Sequence, residues 1–171
     1  MPVVTVDLLA GYDAATKDRL GRALTNAVLG VVAAKPEAVT VMLNPHPAED
    51  YMRGGAHRQP GPPRPDPEEM VRDFLTTMEA RDLDKAQAML APGFTMTFPG
   101  KVEMATLPEL VEWSKPRYSF VRKTYDRFDS LQKGGTSIVY CFGTLSGEWL
   151  DGTGFEGIRF MVTSPVANFL G

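Results

Sequence analysis

The sequence predicts an α+β protein of two small domains, and three observations lead to that prediction. A strand–helix–strand pattern fills the first third of the 171-residue chain. Five prolines then fall between residues 60 and 67. Beyond them, segments with helical spacing precede a long stretch that alternates with period two. Helices followed by an antiparallel meander are typical of the α+β class.

The first segment opens with an apolar strand and an amphipathic helix. Val3–Leu9 is rich in β-branched residues, Gly11 ends the strand, and Asp13 stands where a helix N-cap is expected. The apolar residues that follow lie at spacings of four, four and three, which predicts one face of a helix: Leu20, Leu24, Val28 and Val31.

A second strand completes this unit. Pro36 closes the helical region, and Val39–Leu43 is again apolar and β-branched. Two strands joined through a helix predict parallel pairing with a right-handed crossover. A unit this short buries little apolar surface, so we expect it to form a homo-oligomer.

The proline-rich stretch predicts a domain boundary. Proline fixes φ and removes a backbone donor, so residues 57–66 are expected to be exposed and extended, without helix or strand. The predicted domains are therefore residues 1–56 and 67–171, joined by this linker.

Three helices are predicted to open the second domain. Asp66 and Pro67 begin the first, which extends over Glu69–Arg81 with a glutamate placed as in a capping box. A short helix follows at about 84–90. A third begins at the capping-box sequence from Thr106 to Glu109 and stops before Pro116.

Three strands are predicted after these helices. Alternating residues occupy 118–131, 136–150 and 155–163. The pairs Gly134-Gly135 and Asp151-Gly152 separate them, as turns in hairpins do.

Composition excludes several classes of function. The net charge is −3 with a pI near 5.4, which disfavours a nucleic-acid partner. Cys141 is the single cysteine and is predicted to be a core residue, and His46 and His57 are the only histidines, so we predict no metal site and no cofactor. No apolar run is long enough for a membrane span and no secretory signal is present, so we expect a cytoplasmic protein without a membrane partner.

Pro2 is the sharpest candidate for chemistry. A small residue after Met1 favours removal of the methionine, which leaves a prolyl secondary amine at the start of a strand. An apolar oligomer interface disfavours the charged amine and lowers its pKa towards neutrality. Such a base can take a proton next to a carbonyl and return it elsewhere. The alternative is that Pro2 simply follows a start codon.

The first domain resembles the 4-oxalocrotonate tautomerase family over residues 2–55. The residues that carry the resemblance are the strand Pro2–Gly11, the helix ending before Pro36, the strand Val39–Leu43 and the closing segment Tyr51–Gly55. The resemblance implies that Pro2 is the catalytic base and that the aromatic Tyr51 lines an apolar pocket.

Two arginines that bind substrate in this family are missing here. Tyr12 and Thr40 stand at their positions, which argues against dicarboxylate substrates but does not exclude proton transfer. Tyr12 and Thr40 can each donate one uncharged hydrogen bond. Arg53 can offer a planar fork to an anion, and His46 can move a proton. The favoured alternative is that Arg53 is a solvated residue at the mouth of the linker and that His46, between Pro45 and Pro47, is an exposed loop residue.

The second domain resembles the SnoaL-like polyketide-cyclase group within the nuclear-transport-factor-like cone folds. The resemblance lies in the helix Glu69–Arg81, the segment Ala91–Phe98, the helix bearing Trp113, and the hairpins Ile138–Leu150 and Phe155–Val162. It implies helices packed on a curved antiparallel sheet with a pocket between them, but it names no reaction.

Five residues are candidates for this second pocket because alternate strand residues face it. They are Asp126, Tyr140, Trp149, Glu156 and Arg159. The alternative places the two carboxylates on the solvated face. Pro165 stands where the last hairpin should continue, so we also expect the sheet to lack its final strand and to keep an open edge.

Together these patterns predict an isomerase. Pro2 would catalyse keto–enol tautomerisation of a small carbonyl compound, and the second domain would bind a related small molecule. The alternative is a non-catalytic binding or assembly protein with a degraded tautomerase site.

Overall fold

A computed structural model describes residues 1–167. The chain divides into two compact units, the first spanning Met1–Arg64 and the second beginning at Pro65.

The first unit is a β-α-β motif, as predicted. Strand β1 is Val3–Leu9, helix α1 is Ala14–Leu29 and strand β2 is Thr40–His46. The two strands pair in parallel, with Val3 opposite Thr40 and Leu9 opposite His46. A 3₁₀ turn at Pro36–Ala38 leads into β2.

Helix α1 begins and ends at identifiable signals. The Asp13 side chain accepts a hydrogen bond from the Thr16 amide at 2.8 Å, which confirms the predicted N-cap. The helix ends at Leu29 with Gly30 as its C-cap, and the Val31 amide bonds back to the Val28 carbonyl. The prediction that Val31 belongs to the helical stripe is therefore wrong: this residue lies beyond the glycine and is 88% exposed.

Strand β2 is longer than the predicted segment of residues 39–43. It passes through Pro45, which lies opposite Leu8, and the Ala10 amide then donates to the His46 carbonyl at 2.8 Å. A proline is tolerated there because β2 pairs with one strand only.

A small hairpin follows β2. A 3₁₀ turn at Ala48–Asp50 precedes strands β3, Met52–Arg53, and β4, Ala56–His57. Both glycines between these strands have positive φ, 62° at Gly54 and 75° at Gly55, which non-glycine residues adopt only at a cost.

The proline-rich segment contains no helix or strand between residues 58 and 66. It is nevertheless more than a spacer, because it packs against the first unit. A Cβ on Gly11 would stand 3.0 Å from Pro60 Cγ, and the Arg19 guanidinium donates to the Arg64 carbonyl. The contact explains why residues up to 64 group with the first unit rather than standing free.

No residue of the first unit is fully buried. Helix α1 covers one face of the two-stranded sheet, which leaves the other face bare. Val3 and Met42 on that bare face are 56% and 46% exposed. The unit thus has apolar surface but no closed core.

The second unit opens with helices α2, Pro67–Glu79, and α3, Leu83–Ala88. A short hairpin that the sequence analysis did not assign follows, with strands β5, Met96–Phe98, and β6, Val102–Met104. Helix α4 spans Leu107–Ser114.

Capping side chains fix the helix starts of this unit. Asp66 accepts from the Glu68 amide at 2.9 Å at the start of α2, but Glu69 completes no capping box there. At α4 the full box is present, because Thr106 accepts from the Glu109 amide and Glu109 accepts from the Thr106 amide at 3.1 Å.

Three long antiparallel strands complete the unit, in the order β7, Tyr118–Lys133, β8, Thr136–Trp149, and β9, Gly154–Ala167. The expectation that pairing stops at Pro165 is wrong, since Pro165 lies opposite Ile138 within the ladder. Strand β9 is at the edge of the sheet, where a missing N–H is tolerated. The prediction that the sheet lacks a final strand concerns residues 168–171, which lie outside the described residues.

The core of the second unit lies between α2 and one face of the sheet. Val71, Phe128, Val139 and Cys141 are buried together, with Leu75 packed against them. The single cysteine is thus a core residue, and burial raises the pKa of its thiol. In residues 1–167, no helix is long and apolar enough to cross a bilayer.

Candidate functional site

Pro2 and Thr40 lie side by side at the start of the paired strands. The Thr40 amide donates a hydrogen bond to the Pro2 carbonyl at 3.0 Å. Pro2 is half-buried, and its neighbour Val3 is an exposed apolar residue. The backbone of Pro2 is therefore held in place by β2.

Tyr51 and Arg53 lie at the opposite end. With Leu9, they line a cleft of about 410 Å³ whose remaining wall is Arg58 and Gln59. All five residues belong to the first unit, and two of them come from the segment predicted to be a linker. The sequence analysis missed Arg58 and Gln59 because a proline-rich context suggested a spacer.

The length of β1 separates the two halves of the predicted site. A strand rises about 3.3 Å per residue, so Pro2 and Leu9 are roughly 23 Å apart. A single chain therefore brings Pro2 and Thr40 together and, separately, Tyr51 and Arg53. It does not bring the two groups together.

Tyr12 occupies a third position, beyond the end of β1. It follows Gly11, whose φ of 127° turns the chain towards α1, and it is half-buried. Neither Tyr12 nor Thr40 has an ionic side chain, so each offers only an uncharged hydrogen bond.

A polar cluster occupies the bare face of the sheet near its far end. His46 Nε2 is 2.9 Å from Asp7 Oδ1, and Asn44 Nδ2 donates to the same oxygen at 3.2 Å. These two hydrogen bonds, the one from His46 first, hold the pKa of Asp7 below its usual value. His46 thus ends a strand and is paired, and it is not a free loop residue.

The five second-pocket candidates are scattered over the sheet of the second unit. Trp149 stacks on Tyr118 and packs against Phe155, with ring centroids 4.8 and 4.9 Å apart. Tyr140 lies between the buried Val139 and Cys141 along β8, so its side chain is on the opposite face of the sheet. Arg159 pairs with Thr144 and is on the same face as Tyr140.

The two acidic candidates lie at irregularities of the sheet. Asp126 falls at the register shift between Tyr125 and Arg127, and Glu156 falls in the stretch where the pairing of β8 with β9 shifts. Both are exposed, as the solvated alternative expects. These two carboxylates therefore lie at the surface of the second unit.

Tyr125 is a residue that the sequence analysis did not single out. Its hydroxyl is buried and has no hydrogen-bond partner among the described residues. Burial first, and then the negative charge of Glu79, raise the pKa of this phenol. Nothing in the sequence signals it, because strand periodicity does not tell a phenol in the core from one at its rim.

Comparison with known proteins gives matches to both parts of the chain. A family model described as tautomerase enzyme matches residues 2–57. The crystal structure of TomN, a 4-oxalocrotonate tautomerase homologue in the tomaymycin biosynthetic pathway, is 34% identical and matches 33% of this chain and 86% of its own, with a TM-score of 0.32. That of N2, a member of the 4-oxalocrotonate tautomerase family, is 25% identical over 35% of this chain and 94% of its own, with a TM-score of 0.32.

A larger share of the chain is similar to an NTF2-like protein of Burkholderia pseudomallei. Its identity is 20%, over 56% of this chain and 76% of the other, with a TM-score of 0.45. Among curated proteins, none matches significantly.

Proposed function

Through residues 2–57 the chain belongs to the tautomerase family, and we propose that this unit is an isomerase in which the Pro2 amine moves a proton on a small carbonyl or enol compound. The observation that supports this most is the setting of Pro2. Its carbonyl accepts a hydrogen bond from the Thr40 amide, and the residue is half-buried at the start of β1.

The proposed mechanism needs Met1 to be removed. The secondary amine that results has a lone pair, whereas the Met1–Pro2 amide has none available for a proton. Apolar surroundings disfavour the charged amine, so its pKa falls and the free base is present near neutral pH. The amine takes a proton from the carbon next to the carbonyl, which leaves an enolate, and returns the proton at the oxygen or at another carbon of that enolate, which completes a tautomerisation.

The proposed active form is a homo-oligomer. Pro2 and the Tyr51 cleft lie at opposite ends of β1, so contact between them requires two copies of the chain. The bare sheet face with Val3 and Met42, in a unit without a buried core, favours the same arrangement.

For the second unit we propose binding of a related small molecule. The aromatic cluster of Tyr118, Trp149 and Phe155 offers a stacking surface for it. A second candidate function for the whole chain is assembly without catalysis. The observation that favours it is the absence of the two family arginines at Tyr12 and Thr40.

Replacement of Pro2 tests the proposed base. Pro2→Ala leaves a primary amine of different basicity and geometry in the same place, so some proton transfer survives. General bases contribute roughly 10²–10⁴-fold, and we expect a loss in the lower half of that range. Ketonisation of a small enol acid, followed by ultraviolet absorbance across pH, measures the effect.

Glu156→Gln is the matched control, because it removes an exposed carboxylate from the other unit. We expect it to leave the rate unchanged. A rate insensitive to Pro2→Ala but abolished by Glu156→Gln would move the active site into the second unit. Absence of activity in the wild-type chain, with Met1 shown by mass spectrometry to be removed, would favour the assembly protein.

The oligomer is tested by placing charge on the bare sheet face. Met42→Lys puts an ammonium where we expect a second copy to pack, and the cost of burying it should dissociate the assembly. Light scattering on the full chain measures the mass. Val31→Lys is the control, since Val31 is even more exposed but lies beyond α1. A monomeric wild-type chain at micromolar concentration, or dissociation by Val31→Lys alone, contradicts this proposal.

A further inference from the structure

Two arginines lie next to each other in the cleft at the end of β1. Arg58 Nη2 donates to the Arg53 carbonyl at 3.3 Å, which holds the Arg58 side chain against the backbone of the other arginine. Neither guanidinium has a salt bridge to a carboxylate in the described part of the chain. Two cations with free donors thus line one cavity.

Three contacts hold the backbone around these arginines in place. The Arg58 amide donates to the Tyr51 carbonyl at 3.3 Å, which continues the β3–β4 hairpin by one bond. His57 Nδ1 is 3.2 Å from the Ala48 carbonyl, and Pro60 packs on Gly11. The cleft wall is therefore a folded element of the first unit, although most of its residues are exposed.

The rest of the lining has a different character. Leu9 and the ring of Tyr51 are apolar, and Gln59 adds an amide that can donate or accept. A cleft of about 410 Å³ is within the usual range for small ligands. Guanidinium groups bind carboxylates with paired hydrogen bonds, so this lining fits one anionic group attached to an apolar body.

We propose that the cleft binds the carboxylate of a small apolar monocarboxylic acid through Arg53 and Arg58, with its body against Leu9 and Tyr51. That this acid is the substrate, as its 2-oxo or enol form, rests on the proposed function. The charge missing at Tyr12 and Thr40 is then supplied from the hairpin and the segment after it. The binding itself does not depend on Pro2 of the same protomer.

Equilibrium binding to the full chain tests this site. One probe is hydrocinnamate, which joins a phenyl ring to a carboxylate and has no keto group to enolise. The other probe is its neutral amide. We expect hydrocinnamate to bind with a millimolar or tighter dissociation constant and the amide to bind at least about tenfold more weakly, because a charged hydrogen bond contributes that much.

Variants connect the binding to the two arginines. Arg53→Gln and Arg58→Gln should each weaken hydrocinnamate binding about tenfold, and Arg53→Lys should restore part of the loss. Arg22→Gln is the matched control, because Arg22 is an exposed arginine on α1. Circular dichroism confirms that each variant is folded.

Several results would overturn the proposal. They are no binding of hydrocinnamate, equal binding of the acid and the amide, full affinity in both glutamine variants, or equal loss in Arg22→Gln. Displacement by inorganic phosphate at equal concentration would identify a general anion site and overturn the assigned ligand class.

The two proposals fail in different ways. Hydrocinnamate bound by the arginines in a chain that ketonises no enol acid would remove the proposed catalysis and leave the site. Ketonisation that depends on Pro2 but is unaffected by both glutamine variants, with no hydrocinnamate bound, would remove the site and leave the catalysis.

Discussion

A lysine inserted between Met1 and Pro2 is expected to reduce tautomerase activity by roughly 10²–10⁴-fold, more than Pro2→Ala does. Methionine is retained before a large residue, so Pro2 becomes an internal amide. An amide nitrogen cannot accept a proton at neutral pH, whereas the alanine variant still carries an amine. The insertion therefore removes the base and keeps the proline ring.

The insertion should leave the fold unchanged. Met1 is 91% exposed, and β1 begins only at Val3, so an extra residue before Pro2 breaks no ladder hydrogen bond. The measurement is the rate of ketonisation, with intact mass to show the retained methionine and light scattering to show the same assembly. Full activity in a preparation whose mass shows the insertion intact would rule out an N-terminal amine as the base.

The sequence was sufficient to predict the main helices, the parallel strands and the three long strands, with many of their ends, but not the short hairpins β3–β4 and β5–β6. Asp13, Asp66 and Thr106 each cap the helix that their spacing predicted. The strand–helix–strand order correctly predicted parallel pairing of β1 with β2. The two glycines at 134 and 135 correctly predicted the hairpin between β7 and β8. These are local signals, in which a side chain acts on backbone a few residues away.

The arrangement of the candidate site could not be predicted in the same way. Pro2 lies at the start of β1 and Tyr51 near its other end. The reason is that β2 runs parallel to β1, so the chain leaves β2 at the end of the sheet far from Pro2. The wall formed by Arg58 and Gln59 depends on Pro60 packing against Gly11, a contact between segments about 49 positions apart that no periodicity reveals.

Proline was the most misleading local signal. Pro165 was expected to end pairing, yet it lies within a strand, as Pro45 does. Each occupies an outer strand of its sheet, where one side of the backbone needs no partner. Whether a strand is at the edge is a property of the sheet and cannot be decided from the strand alone.

Gly143 is expected to be the position in the second unit least tolerant of a side chain. It is buried in the middle of β8, opposite Phe160. A Cβ added there would meet the Thr124 carbonyl oxygen and stand 2.7 Å from Phe160 Cζ. The first of these neighbours is backbone of the adjacent strand, which cannot move without breaking the ladder between β7 and β8.

We therefore expect Gly143→Ala to lower the free energy of unfolding of the second unit by about 3 kcal/mol, the upper end of the usual cost of overpacking. Both tryptophans, Trp113 and Trp149, lie in this unit, so their fluorescence in urea reports its unfolding. Gly154→Ala is the matched control, because the nearest atom to its Cβ is 3.9 Å away, and its effect should stay within about 0.5 kcal/mol. Equal stability of the two variants would contradict the packing of Phe160 over Gly143.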